Sequence, residues 1–383
     1  MIKLFDLFKK LTFKIPKKKK YLFYDDNSLQ IQKYLKLKNF TILHTRNEEI
    51  NVFIFFAIFL EPKKVAHIFK YNLSLVYICK YIEYVNPTYV INFIDNDVKF
   101  YKLKQHFKDI IFISIQNGLR TQINDIFSNE SFLKSNDLKC DYYLVFNKNI
   151  AKKLSTIIKS KFIVFGSLKN NFFSKTSIQK KSEILYLSQF RNIKHIKYKN
   201  RFISLKNWII DHEKKLLNNV LLFCDKNNKK LNILSVYDKR HPLFLSEANY
   251  FKKIILNKNW KLIPSKKKSK KSNNYKLVDS FEVILTSWST LGYESLGRGN
   301  KVAFFPPKNF YGTKGRSFGW PYELPKKGKF YSDISDFVEV NRVLKYLFYV
   351  NKQSWQNDSS FYKKNLIKKF NGLGEIRKIL TKY

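Results

Sequence analysis

The sequence predicts an α/β protein made of two doubly wound lobes. From Lys20 onward, short apolar runs separated by polar loops alternate with helical stretches, the pattern of repeating α/β units. A length of 383 residues, 44% of them hydrophobic, suits two buried cores. A polar stretch without apolar period, SLKNNFFSKTSIQKKSE (167–183), then interrupts the pattern and is placed as the interdomain linker. The expected domains are a basic N-terminal segment (1–20), a Rossmann-like N-terminal domain (21–175), a Rossmann-like C-terminal domain (176–345) and C-terminal helices (346–383) that return toward the first.

In the first lobe, FTILHTR (40–46) is expected as a strand entering a loop and EEINVFIFFAIFL (48–60) as a buried helix. TYVINFIDND (88–97) gives a strand and loop, KFYKLKQHF (99–107) a helix, and DIIFISIQNG (109–118) another strand and loop. CDYYLVFN (140–147) and KFIVFGS (161–167) continue the sheet. The second lobe opens with the strand EILYLSQFR (183–191), followed by a helix over 203–225. LNILSVYDKRHP (231–242) is a strand and loop, NYFKKIILN (249–257) a helix, and the lysine-rich stretch at 264–272 a surface loop. FEVILTSWST (281–290) and KVAFF (301–305) are strands around the helix LGYESLGRG (291–299), and 335–380 reads as helical.

The formal charge is +44, from 73 Lys and Arg against 29 Asp and Glu, a field that attracts polyanions or anionic membrane surfaces. Abundant Lys, Asn, Ile and Phe also fit an AT-rich genome, so codon drift is a competing source of the charge. No RNP, zinc-finger or basic-zipper signature is present, so no specific nucleic acid is expected as partner. Cys79, Cys140 and Cys224 are far apart in sequence and form no C-x-x-C, which supports neither a zinc knuckle nor a disulfide framework and fits a reducing cytoplasm. INVFIFFAIFL (50–60) is shorter than the ~20 residues of a membrane-spanning helix. The first twenty residues interleave apolar and basic side chains, as interfacial helices do on anionic lipid; a frayed basic tail is the plainer alternative.

Ligands of open parallel sheets bind at the carboxyl ends of the strands, where FEVILTSWSTLGYES places a Ser/Thr loop before a helix beginning near Leu291. Ser287, Ser289 and Thr290 could there hold a phosphate at a helix N-terminus, or simply cap it. YDKRHP (237–242) brings Arg240, His241 and Pro242 to the same rim, and Glu294 lies a turn after Thr290 as an acceptor for ribose or base hydroxyls. Arg191 ends another strand of this lobe, and its guanidinium, like that of Arg240, matches phosphate bidentately.

YDKRHP followed by TSWSTLGYESLGRGNKVAFF resembles the HP and Ser-Ser/Thr motifs of bacterial transferases that use CMP-activated sugars, including the β-Kdo transferases of capsule and lipopolysaccharide. LHTRNEEIN (43–51), INFIDNDVKFYKL (91–103), IFISIQNGLR (111–120), FGSLKNN (165–171), YLSQFR (186–191) and RSFGWPYELPKKGKFY (316–331) resemble bacterial surface carbohydrate biosynthesis proteins. Each motif alone is weak, and their order over about residues 40–331 is the specific part. The resemblance implies a GT-B glycosyltransferase, two Rossmann-like domains facing a central cleft, that needs no cofactor beyond a CMP-activated sugar as co-substrate. His241 and Pro242 would then contact CMP while Ser289 and Thr290 hold its phosphate; SWST in place of a plain Ser-Ser pair leaves Ser287 or Ser289 as the main ligand.

Such a transfer needs one carboxylate as base or nucleophile, and the candidates are Asp95, Asp97 and Glu48 in the strand-end loops IDND and HTRNEE. Asp95 is preferred because it follows an apolar strand directly, with an Asx-turn as the structural alternative. Gln116, Asn117, Gly118 and Arg120 are candidates for binding a sugar, its carboxylate or the acceptor; a plain turn is the alternative. No cluster has metal-ligand spacing, so a metal-independent reaction is expected. The expected partners are a nucleotide-sugar donor and a glycan or lipid-linked glycan acceptor. The expected location is the cytoplasm, with peripheral contact to the inner face of the membrane. A donor such as CDP-glycerol or another nonulosonic acid, a polyanion-binding protein, and a non-catalytic homologue remain as alternatives.

Overall fold

The computed structural model describes the chain apart from residues 1–9, 46–48, 62–72, 123–124, 179, 194, 199–200, 205, 257–258, 267–273, 308–316, 371–372 and 383. It divides into two compact units. Unit 1 comprises residues 1–117, 130–172 and 371–383, and unit 2 comprises 118–129 and 173–370. The C-terminal stretch is therefore split: its helices up to residue 370 belong to unit 2, and only the last thirteen residues, Asn371–Tyr383, to unit 1.

Unit 1 is a six-stranded parallel sheet: β1 (Tyr21–Tyr24), β2 (Phe40–Leu43), β3 (Tyr89–Asn92), β4 (Ile111–Ile115), β5 (Lys139–Val145) and β6 (Lys159–Val164), in the order β2-β1-β3-β4-β5-β6. Strands covered on both faces must be apolar nearly throughout, and YVIN of β3 is buried at all four positions. The core joins Phe23, Tyr89, Ile91, Ile113 and Leu144 to Leu373, Ile376, Ile379 and Leu380, so the apolar stripe of the helix Gly374–Thr381 closes this unit.

Unit 2 holds β7 (Lys180–Leu187), β8 (Lys230–Leu234), β9 (Trp260–Ile263), β10 (Phe281–Thr286), β11 (Lys301–Phe304), β12 (Lys327–Gly328) and β13 (Tyr331–Ser332), in the order β9-β8-β7-β10-β11-β13-β12. All pairs are parallel except the final β12–β13 pair. Four of its helices bear on function: α1 (Asp211–Lys226), α2 (Phe244–Ile254), α3 (Thr290–Gly297) and α4 (Lys352–Leu366).

Several local expectations are corrected. Residues 203–204 lie not in a helix but at the end of a hairpin, His195–Tyr198 with Arg201–Ser204; a π-turn at Lys206–Ile210 precedes α1. The run at 50–60 is not wholly buried: Ile50–Asn51 pairs with Leu11–Thr12, the helix spans Val52–Phe59, and Phe56, Phe59 and Leu60 are exposed. From Lys10 to Lys20 the basic N-terminal segment forms no helix, its regular structure being the short strand Leu11–Thr12. Most of the 264–272 loop lies outside the described residues.

Candidate functional site

Among its parallel strands, the order of each unit reverses once. In unit 2 the chain runs outward from β7 through β8 to β9, then crosses back to place β10 on the other side of β7. Loops on either side of such a reversal diverge and leave a crevice at the carboxyl ends of the strands. The β7 loop carries Arg191 and the β10 loop carries Ser287, Ser289 and Thr290, so the fold brings these four predicted residues to its switch point. His241, Pro242 and Arg240 follow β8, one strand further along the same rim.

The β10 loop is drawn tight by its own residues. Thr286 Oγ1 accepts from the Ser289 N–H at 3.0 Å, and α3 begins at Thr290. A Cβ on Gly292 would stand 2.4 Å from Thr286 Cγ2, so glycine is what lets the helix approach the strand this closely. Ser289 is the N-cap, yet its hydroxyl makes no capping bond, whereas the caps Asp97, Asn147 and Asp336 all accept a backbone N–H. Ser289 is half-buried; Ser287 is buried at 2% exposure beside the Tyr186 hydroxyl. Thr290 Oγ1 accepts from the Leu119 N–H at 3.0 Å, and Glu294 is buried at 4% exposure.

The β8 loop is shaped by Asp238, which accepts the Arg240 N–H at 3.0 Å and through its carbonyl the His241 N–H at 3.0 Å. His241 stacks on Tyr237 with ring centroids 4.2 Å apart, and its Nδ1 accepts from the Leu243 N–H at 3.1 Å. That acceptor role places the proton of a neutral ring on Nε2. Arg240, His241 and Pro242 are exposed.

Two buried carboxylates absent from the sequence expectations support these loops. Glu247 of α2, fully buried, accepts from the hydroxyls of Ser188 and Ser235 and from the Val236 N–H at 3.0 Å, joining the β7 and β8 loops. Glu213 of α1 accepts from the Tyr186 and Tyr250 hydroxyls, and burial pushes its carboxyl above the usual range. Glu213, Arg191, Gln189 and Tyr250 line a cavity of about 80 Å³, too small for a nucleotide. A sequence signal existed: Glu213 shares a helical stripe with Leu216, Leu217 and Val220, and Glu247 shares one with Phe251 and Ile254, where an acid must be paired.

In unit 1 the order reverses between β1 and β3, and Asp95 and Asp97 follow β3. Asp95 has no accessible surface: Oδ2 accepts from the Tyr143 hydroxyl at 2.9 Å and Oδ1 from the Asn117 N–H at 3.2 Å. Its carboxylate is placed to hold the β4 loop rather than to meet a substrate. Asp97 caps the helix Val98–Leu103 and also accepts from the Tyr24 hydroxyl at 2.9 Å. Glu48 lies outside the described residues.

The run QNGLR is divided between the units. Gln116, buried, accepts the Phe146 N–H at 2.8 Å, and Asn117 donates to the Phe93 carbonyl at 2.7 Å. Gly118 opens the segment that clusters with unit 2 and is not among the glycines at positive φ, so the plain-turn alternative does not hold there. Arg120 is buried and ion-paired to Asp125 at 2.7 Å, so it does not add the uncompensated charge expected of it.

The sequence reading passed over His44, at the end of β2. Its Nδ1 lies 2.9 Å from Asp26 Oδ1 and its Nε2 3.4 Å from Glu49 Oε2, while Thr45 donates to Asp25 at 3.0 Å. Although Nδ1 makes no hydrogen bond, the ring stands between two carboxylates, and a partly exposed histidine at a strand end can move a proton. The available signal was HTRNEE together with DD at 25–26, two strand ends that β1–β2 pairing must juxtapose. No group of three or more His, Cys, Asp or Glu among the described residues is arranged to hold a metal ion.

A family model described as "putative O-antigen biosynthesis protein" matches residues 113–381, more than two thirds of the chain. The chain belongs to this O-antigen biosynthesis protein family. No curated protein matches it. Among solved structures it is similar to the wall teichoic acid polymerase TagF, with a TM-score of 0.54 at 13% identity over 96% of this chain and 89% of that one. It is likewise similar to the UDP-GlcNAc 2-epimerase of Methanocaldococcus jannaschii, with a TM-score of 0.53 at 16% identity over 95% and 99%. These likenesses establish the fold of the family member: α/β, with two Rossmann-like domains of the GT-B class. Among the described residues no helix is long and apolar enough to cross a membrane.

Proposed function

We propose that this O-antigen biosynthesis family member is a glycosyltransferase of bacterial surface polysaccharide synthesis that takes Kdo or a related sugar acid from a CMP-activated donor. The observation that carries the reading is the uncommitted Ser289 hydroxyl at the N-terminus of α3, beside the unit 2 switch point. Backbone N–H groups and the helix dipole there favour a phosphate, and Ser289, with Arg191 across the reversal, supplies further donors. Ser287, being buried, takes the lesser role, and Thr290, bonded to Leu119, acts through its backbone. His241 and Pro242 meet the cytidine portion from the β8 loop, with Arg240 beside them; Glu294 is too buried to be a first choice for ribose.

The acid–base group of this proposal is His44, whose Nδ1 lies 2.9 Å from Asp26, in place of Asp95. In transfer, the acceptor hydroxyl attacks the anomeric carbon, the bond to the CMP phosphate breaks, and the imidazole takes the hydroxyl proton. Gln116, buried and bonded to the Phe146 N–H, shapes the end of β4, and the half-buried Asn117 after it belongs to the rim on which an acceptor sugar is met; the reaction is metal-independent. Exposed Phe13 and Ile15 amid basic residues support peripheral contact with anionic lipid, where a lipid-linked acceptor would lie.

Calorimetric titration with CMP, UMP and GMP at moderate salt tests the donor site. CMP should bind selectively, and the double variant His241→Ala, Ser289→Ala should weaken it at least ~10-fold, about 1.4 kcal/mol. Equal, salt-sensitive binding of all three nucleotides, unchanged in the variant, would refute the site. Turnover of CMP-Kdo against CDP-glycerol then decides the donor. His44→Gln should lower kcat on the order of 100-fold or more while leaving CMP affinity intact; an unaltered kcat would return the role to a carboxylate.

A further inference from the structure

The amino-terminal end of α3 faces the donor loops, and its carboxyl-terminal end, about 12 Å away for eight residues, opens on a different feature. Gly297–Lys301 and α4 there enclose a cavity of about 520 Å³, within the range of small-molecule sites. Lys175, Lys301, Lys352 and Lys363 line it, with Asn300 and Trp355. A Cβ on Gly299, which sits at φ +82°, would lie 3.6 Å from Lys175 Nζ, so the ammonium rests against bare backbone.

Little negative charge answers these amines. Asp279 is bonded to Arg298 Nε at 2.8 Å, Asn300 Nδ2 at 2.8 Å and the Thr176 N–H at 3.0 Å. Glu282 acts on Lys301, whose Nζ also donates to the Val350 carbonyl at 3.0 Å. Burial pushes Lys175, Lys301 and Lys363 below the usual ammonium range, as it does Lys369, which acts on Lys175. Among the described residues these four are the lysines shifted downward, and three of them, Lys175, Lys301 and Lys363, line this cavity.

Asn300 adds an independent requirement. It is 96% buried by its 4% exposure, its Nδ2 is committed to Asp279, and its Oδ1 is buried without a hydrogen-bond partner. Orphaned buried acceptors are uncommon and call for a donor. Trp355, anchored by Nε1 to the Gly299 carbonyl at 3.1 Å, gives the wall an aromatic side chain. A ligand answering all three features carries an anionic group, a hydroxyl and a ring with an apolar face. We propose that the cavity is a second ligand site, separate from the donor loops, that takes a phosphorylated saccharide.

The test is calorimetry on the full chain with glucose 6-phosphate, inorganic phosphate and glucose. The variants are Lys352→Ala with Lys363→Ala, the exposed pair Lys134→Ala with Lys159→Ala as control, and Ser289→Ala. Glucose 6-phosphate should saturate one site and bind at least ~10-fold tighter than inorganic phosphate, with glucose undetected. The cavity variant should lose ~10-fold or more, while the control pair and Ser289→Ala change less than ~2-fold; circular dichroism verifies that all fold. Three outcomes would overturn the site: no saturation by glucose 6-phosphate, equal affinity for inorganic phosphate, or an equal loss in the control pair. Loss in Ser289→Ala instead would assign the binding to the donor loops and also overturn it, without touching the donor reading.

Discussion

Asp95 and His44 show how a side chain's neighbours decide its use. Both follow strands of unit 1, but Asp95 is enclosed by Tyr143 and the Asn117 N–H while His44 keeps part of its surface. Asp95→Asn sets an amide NH2 against either the Tyr143 hydroxyl or the Asn117 N–H, and a loss of about 1–3 kcal/mol in urea unfolding is expected. Unaltered stability with abolished turnover would instead make Asp95 a catalytic group. Ser289 is the converse case, a cap position whose side chain is spared from capping and is therefore available to a ligand.

Among the helices, α1 and α3 each hold a feature that packing sets. The Gly292 approach fixes α3 against β10 and so fixes where its N-terminal donors point. On α1, His212 is hydrogen-bonded to the Phe305 carbonyl at 2.8 Å, and burial lowers its imidazole to about 4 from 6.5. The folded state then resists protonation that the unfolded state accepts. The neutral histidine contributes stability above pH 6.5, and that contribution is lost as pH falls from 6.5 toward 4. The loss should be on the order of 2 kcal/mol, and His212→Gln, which keeps a donor, should flatten it. Denaturant midpoints at pH 4.5 and 7.5 measure both; an equal acid loss in the variant would place its origin elsewhere.

For the molecule as a whole, the charge of +44 must be separated from the sites. Unrelated DNA duplexes should bind with equal affinity and weaken by roughly 10³-fold between 50 and 200 mM salt, as counterion release dictates. Sequence-selective binding that survives salt would favour the polyanion-binding alternative over the transferase. The buried Arg298–Asp279 pair and the segment 118–129 also act at this level, since each ties residues distant in sequence into unit 2.

The amino-acid sequence by itself determined the alternation of strands and helices, the doubly wound class and the strand-end loops that carry Arg191, His241 and Ser289. These follow from local periodicity and turn chemistry, which are written in adjacent residues. Tertiary structure decided the rest. The order β9-β8-β7-β10 put Arg191 and Ser289 on either side of one reversal and His241 a strand away. Pairing of β1 with β2 brought Asp26 to His44, and long-range contacts enclosed Asp95, neutralised Arg120 and left Asn300 Oδ1 without a partner among lysines. Burial and charge compensation depend on which residues meet across the chain, and no local pattern encodes that.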